Sequence, residues 1–229
     1  MPSTNLERIE TIAASLDELL SEVVFVGGSV VELYVTDHAA PPVRNTEDVD
    51  CVVPVMQYTD LHAWEELLRS KGFRNDTRQG APICRWLYNE VMIDFMPPDA
   101  SVLGFSNQWY VEGLENSLKY VLPNGRCIRI LELPWFVATK AEATRSRGWP
   151  DLRTSHDFED IVYLWDSVPG LTDRLLAAPT TLREWLANQA QEWQTTPAFR
   201  EAVECHAESF GRAQRILKEI ERFVRSSEP

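Results

Sequence analysis

No stretch of this sequence is apolar for long enough to span a bilayer as a helix, so no membrane-spanning helix is expected. The opening MPSTNLERIE lacks a basic segment followed by an apolar run; no secretory leader is expected, and the chain is assigned to the cytoplasm. Cysteine is sparse and scattered. Cys51, Cys84, Cys127 and Cys205 include no pair spaced for a zinc knuckle or redox motif, so reduced and mostly buried thiols are expected. Cationic residues are in deficit: 22 Lys and Arg stand against 35 Asp and Glu, a formal charge of −13. That balance argues against a broad nucleic-acid footprint, which needs clustered cations to displace counterions. Local contact with a polyanion is confined to the basic clusters around Arg69 to Arg85 and Lys140 to Arg153, which read equally well as solvated loops. There is no internal repeat or low-complexity tract.

What is present is a mixture of both periodicities. Leu6, Ile9, Ile12, Ala13, Leu16, Leu19 and Leu20 recur at helical spacing behind Thr4, which predicts an amphipathic opening helix over residues 4–20. VVFVGGS predicts a short strand ending in a glycine turn, and SVVELYVT resumes a helical pattern. EDVDCVVPV alternates acidic and apolar residues as a strand does, with Pro54 at its end. A helix is expected over YTDLHAWEELLRSKGF with Thr59 as cap, then a loop at RNDTRQGAP, then a hairpin of ICRWLYN and EVMIDFMPP that pairs with the DVD strand. Residues 107–132 carry further strand-like pieces with a second hairpin about Asn124 and Gly125. Beyond Pro134 the pattern is helical, ending in one long amphipathic segment from Phe199 to Val224. Strands with helices first and helices afterwards predict an α+β fold, with a catalytic core over 1–133 and a helical region over 134–229.

Four features carry chemistry. Asp48 and Asp50, two apart on a strand, point to one side and can share a divalent cation; taken alone, such a pair is as readily a solubilising strand edge. Gly27, Gly28 and Ser29 stand between a strand and a helical run, where backbone amides suit a phosphate, although paired glycines occur in many turns. Arg44 and Thr46 precede the acids and would either assist a phosphate or fix the strand entry. Asp94 is embedded in the apolar VMIDFMPP, where a charge needs a partner, either a metal shared with Asp48 and Asp50 or a neighbouring arginine. His156 and Asp157 do not make a phosphohydrolase HD pair, because His38, His62 and His206 supply no supporting ligand pattern. Trp86, Trp109, Trp135 and Trp149 are candidates for stacking on a base, with core packing the ordinary role.

Taken together, FVGGSVVELYV, RNTEDVD, the IDF acid, the lysine of FVATKAEA and the late HDFED resemble the nucleotidyltransferase superfamily of the DNA polymerase β type, and within it the AbiEii and MenT branch of bacterial toxin nucleotidyltransferases. The interval from Ser29 to Asp48 is longer than that family's, a loop insertion at TDHAAPPV. The resemblance implies transfer of a nucleoside monophosphate from an NTP, with Mg²⁺ or Mn²⁺ held by Asp48, Asp50 and Asp94. It also implies phosphate contacts from Gly27, Gly28, Ser29, Arg44, Thr46 and Lys140, and makes Asp157 or Asp160 an acid that positions Lys140. The acceptor it implies is the 3′ end of tRNA, in a toxin with a cognate antitoxin protein. The acidity of the chain favours a polycationic, aminoglycoside-like small molecule instead, and a protein hydroxyl or a non-catalytic nucleotide- or partner-binding role completes the alternatives.

Overall fold

A computed structural model describes residues 4–227 apart from His38, Met56 and Pro150. Contacts divide the chain into two compact units, 1–30 with 44–132 and 31–43 with 133–229. The division after Glu132 lies beside the boundary expected near Leu133, whereas residues 31–43, expected within the core, go with the helical unit.

The first unit is built on a seven-stranded mixed sheet. Its strands are β1 (Val24–Val26), β2 (Asp48–Val52), β3 (Arg74–Asn75), β4 (Arg85–Tyr88), β5 (Val91–Met96), β6 (Ser117–Val121) and β7 (Cys127–Leu131), in the order β3-β4-β5-β2-β1-β7-β6. β2 runs parallel to β5 and β1 parallel to β7, and the remaining pairs are antiparallel. Central placement explains why β1 is apolar throughout and buried at every position. The β4–β5 hairpin turns through Asn89 and Glu90, both at positive φ (45° and 66°), as a two-residue turn matched to strand twist requires.

Helices flank the sheet. α1 (Asn5–Leu16) opens with a capping box, in which Glu7 N donates to Thr4 Oγ1 at 3.2 Å and Thr4 N donates to Glu7 Oε2 at 2.7 Å. It buries Ile9, Ile12, Ala13 and Leu16 completely. α2 (Tyr58–Ser70) begins one residue before Thr59, with Gln57 at the cap position; the Thr59 side chain lies outside the described residues. α3 (Ala100–Leu103) and α4 (Tyr110–Glu115) follow β5. α4 occupies a stretch expected to be strand-like; Asn107 Oδ1 accepts from Trp109 N at 3.1 Å, a local turn that starts helix instead. The RNDTRQGAP loop contributes the two-residue β3 at its start.

The second unit is helical: α5 (Leu133–Ala143), α6 (His156–Ser167), α7 (Leu171–Leu176), α8 (Thr180–Thr195), α9 (Phe199–His206) and α10 (Phe210–Ser227). α5 is buried on nearly all sides, from Leu133 to Ala141. Phe158 of α6 packs edge-on against Trp193 and Phe199, with centroids 5.4 and 6.2 Å away. Residues 31–43 join this core through Tyr34, stacked on Phe136 at 4.6 Å, and through Pro41, whose carbonyl accepts from Tyr163 Oη at 2.8 Å. The long helix expected from Phe199 to Val224 is two helices. Extended backbone at Ala207 interrupts it, and Ser209 restarts it by accepting from Arg212 N through Oγ and from Ala213 N through its carbonyl.

Two of the four thiols depart from expectation. Cys51 and Cys84 are buried, while Cys127 and Cys205 are exposed on β7 and α9. No helix among the described residues is long and apolar enough to cross a membrane.

Candidate active site

Strand alternation gathers the acids of the first unit. In the parallel register of β2 and β5, Asp50 lies beside Asp94 and Asp48 beside Met92, so Asp48, Asp50 and Asp94 share one face of adjacent strands. β4 lies antiparallel to β5 and sets Arg85 directly opposite Asp94. The guanidinium takes both Asp94 oxygens, Nε to Oδ1 and Nη2 to Oδ2 at 2.8 Å each, and Nη2 also donates to Asp48 Oδ2 at 2.6 Å. The Arg85, Asp94 and Asp48 side chains are 18%, 10% and 30% exposed, so the bridge is sheltered without being sealed. Hydrogen bonding to Asp94, opposed by partial burial, keeps the guanidinium more basic than an ordinary arginine. No motif in the sequence marks Arg85 as a site residue. The available signal was the alternation of ICRWLYN, which puts Arg85 on the face opposite Cys84 and Trp86 and therefore on the face of the acids.

The glycine turn abuts the same cluster. Gly27 sits at φ +74°, and a Cβ there would fall 1.8 Å from Asp50 Oδ2, so any side chain would displace the carboxylate. A Cβ on Gly28 would fall 2.5 Å from the Arg44 guanidinium and 2.8 Å from Thr46 Cγ2. Gly27 is therefore required by its positive φ and its close approach to Asp50, while Gly28 is crowded by the movable end of Arg44 and by the Thr46 methyl; Asp50, Arg44 and Thr46 all lie against one turn. Ser29 is fully buried, and its Oγ has no hydrogen-bond partner among the described residues, a cost of about 1–3 kcal/mol that an alanine would not carry.

Thr46 enters the strand rather than facing outward. Its Oγ1 donates to the Asp48 carbonyl at 2.9 Å and its N–H to Asn5 Oδ1 at 2.8 Å, while Asn5 Nδ2 donates to the Arg44 carbonyl at 2.9 Å. Asn5, buried at the start of α1, thus pins residues 44–46; no motif in the sequence marked it.

Asp48, Asp50 and Asp94 present hard oxygen donors, the chemistry that Mg²⁺ or Mn²⁺ takes, from neighbouring strands. Their present rotamers do not close round an ion. Arg85 holds three of their oxygens, and among the described residues no three His, Cys, Asp or Glu side chains converge tightly enough to ligate a metal. Nearby carboxylates are felt at Cys84, whose thiol is pushed up to about 12 by burial first and by Asp94 and Asp50 second.

The remaining site candidates lie in the second unit. Lys140 Nζ is 3.0 Å from Asp157 Oδ1 and 2.7 Å from Asp160 Oδ2, and all three side chains are nearly inaccessible. Burial disfavours the Lys140 charge, but Asp160 and Asp157 more than compensate and raise its pKa. Burial likewise pushes Asp157 up, yet Lys140 and Arg147, whose Nε is 2.8 Å from Oδ2, hold it at about 2. Both Asp157 and Asp160 therefore hold Lys140 in place. Trp86, Trp109 and Trp135 are core residues, and Trp149 is 40% exposed.

No family model and no curated protein matches the sequence. Solved structures do match. An antigenic nucleotidyltransferase-like protein from Paracoccidioides brasiliensis superposes with a TM-score of 0.53 at 20% identity, over 88% of this chain and 93% of that one. The chain has the fold of a nucleotidyltransferase-like protein. A candidate nucleotidyltransferase from H. pylori aligns over 96% of this chain and 93% of its own, with a TM-score of 0.46 and 11% identity.

Proposed function

We propose that this chain is a metal-dependent nucleotidyltransferase that moves a nucleoside monophosphate from an NTP to an acceptor hydroxyl, with pyrophosphate leaving. The observation that carries the reading is the placement of Asp48, Asp50 and Asp94 on one face of β2 and β5, with Gly27 and Gly28 close against Asp50, Arg44 and Thr46. A surface that merely needed solubility would not draw three carboxylates together beside a turn that tolerates no side chain. The nucleotidyltransferase-like fold supports the same reading.

A divalent cation held by the three acids would neutralise the triphosphate and favour in-line attack. Asp94 stands nearest in register to Asp50 and would take the proton of the attacking hydroxyl. Backbone amides at Gly28 and Ser29, with Arg44 alongside, would hold the outer phosphates. Thr46 serves this site by fixing the strand entry through Asn5 and the Asp48 carbonyl. Lys140, a phosphate contact in the family resemblance, is held by Asp157 and Asp160.

The acceptor we favour is the 3′ end of tRNA, in a toxin of the AbiEii and MenT kind; this follows from the sequence motifs. A polycationic small molecule is the second reading, favoured by the net charge of −13. Incubating the protein with Mg²⁺, each labelled NTP in turn, and total tRNA, an aminoglycoside or no acceptor decides between them. Label on tRNA that disappears in Asp48→Ala supports the first reading, and label on the small molecule supports the second. Absence of pyrophosphate release with every acceptor would refute the enzymatic assignment.

A further inference from the structure

We propose that Arg85 is a built-in counter-cation that competes with the divalent metal for Asp48 and Asp94, so that metal entry requires its guanidinium to leave both carboxylates. This rests on the reading of the three acids as metal ligands. The argument is one of shared lone pairs. Arg85 occupies both oxygens of Asp94 and one of Asp48, the atoms an ion ligated by these residues would need. A guanidinium and a divalent ion on the same oxygens would also repel one another, so the two arrangements exclude each other.

The bridge is specific rather than incidental. Strand register places Arg85 opposite Asp94, and its planar fork spans two carboxylates in a way a lysine ammonium does not. Arg78, on the preceding loop, is committed elsewhere, to Asp76 at 2.8 Å through Nε. The side chain of Arg85 is 18% exposed, which leaves it a route out. Arg85 thereby offsets the repulsion between Asp48 and Asp94 and weakens metal binding in proportion to the hydrogen bonds that must be given up.

The test is Mn²⁺ binding at an ionic strength of about 0.15 M, followed by paramagnetic resonance of the free ion and by calorimetry, on the full chain and on Arg85→Met, Arg85→Lys and Arg78→Met. Arg85→Met is expected to bind Mn²⁺ about 10- to 100-fold more tightly, the range set by losing competing charge-assisted hydrogen bonds. Arg85→Lys should fall between it and the parent, and Arg78→Met should change the affinity by less than about threefold, as a screened charge does. In EDTA, Arg85→Met should melt below the parent, with the gap closing when Mn²⁺ is added.

Equal affinity in the parent and Arg85→Met would overturn the proposal while leaving the metal-site reading intact. An equal gain in Arg78→Met would reduce the effect to bulk charge and overturn it too. Absence of Mn²⁺ binding at millimolar concentration in the parent and in Arg85→Met would overturn both the proposal and the metal-site reading. If Arg85→Met fails to fold, Arg85→Lys decides, and an affinity equal to the parent's overturns the proposal.

Discussion

The two units each hold a cluster of carboxylates bridged by a cation, and the clusters differ in a way that separates support from chemistry. In the helical unit, Asp157 and Asp160 meet Lys140 and Arg147, two acids against two cations, with Lys140, Asp157 and Asp160 nearly inaccessible. In the sheet unit, three acids meet at strand positions, Arg85 bridges two of them, and the Asp48 side chain is 30% exposed. A balanced, buried pairing is worth most as a fixed geometry, because removing one partner strands the others. An acidic surplus within reach of solvent is costly without a cation and is ready to accept one.

The sharpest way to break this comparison is Lys140→Met, which leaves two buried carboxylates facing each other. It should destabilise the protein by about 3–5 kcal/mol in urea denaturation; a loss under about 1 kcal/mol would show that the helical cluster is not the structural one. In Asp50→Asn the order reverses. Transfer of label from NTP should fall roughly 1000-fold, about 4 kcal/mol of barrier, while the urea midpoint stays level or rises. A parallel loss of folding would erase the distinction between the clusters.

Gly27→Ala forces a Cβ into the space of the Asp50 carboxylate at positive φ. It should cost about 1–3 kcal/mol of stability and weaken NTP binding, measured by denaturation and by calorimetric titration. A neutral outcome would detach the glycine turn from the acids.

The Asp157 carboxyl gives a pH signature. Its folded pKa of about 2 lies below its unfolded value of about 3.9, so its contribution is fully present above the unfolded value and is lost as pH falls through the folded one. Roughly 2 kcal/mol of stability should therefore disappear between about pH 5 and pH 2. Denaturation curves of the parent and Asp157→Asn across that range should converge at the acidic end, and a constant difference would contradict the assignment. The smallest effect is expected at Thr46→Val, about 1 kcal/mol from one lost hydroxyl bond, read as a lowered Tm.

Much of the fold was legible because local rules and the tertiary outcome agree. Thr4 ahead of the helical period marked the start of α1, the alternation in EDVDCVVPV marked β2, and the junction of ICRWLYN with EVMIDFMPP marked a hairpin turn. α4 was missed because the Asn107 turn started a helix in a stretch whose composition suits a strand. The break between α9 and α10 was missed because the amphipathic period runs through it, while Ser209 caps locally.

For the candidate site, the sequence by itself determined the identity of the acids and their common side on a strand, since a period of two leaves Asp48 and Asp50 no other relation. It also determined that Gly27 and Gly28 stand where a chain turns from strand into helix. Only the tertiary structure decided that Asp94 lies beside Asp50, that Gly27 can bear no side chain against Asp50, that residues 31–43 pack with the helical unit, and that Arg85 rather than solvent balances Asp94. Strand order and register are set by contacts between distant segments, and a long-range pairing leaves no periodic trace in either partner alone.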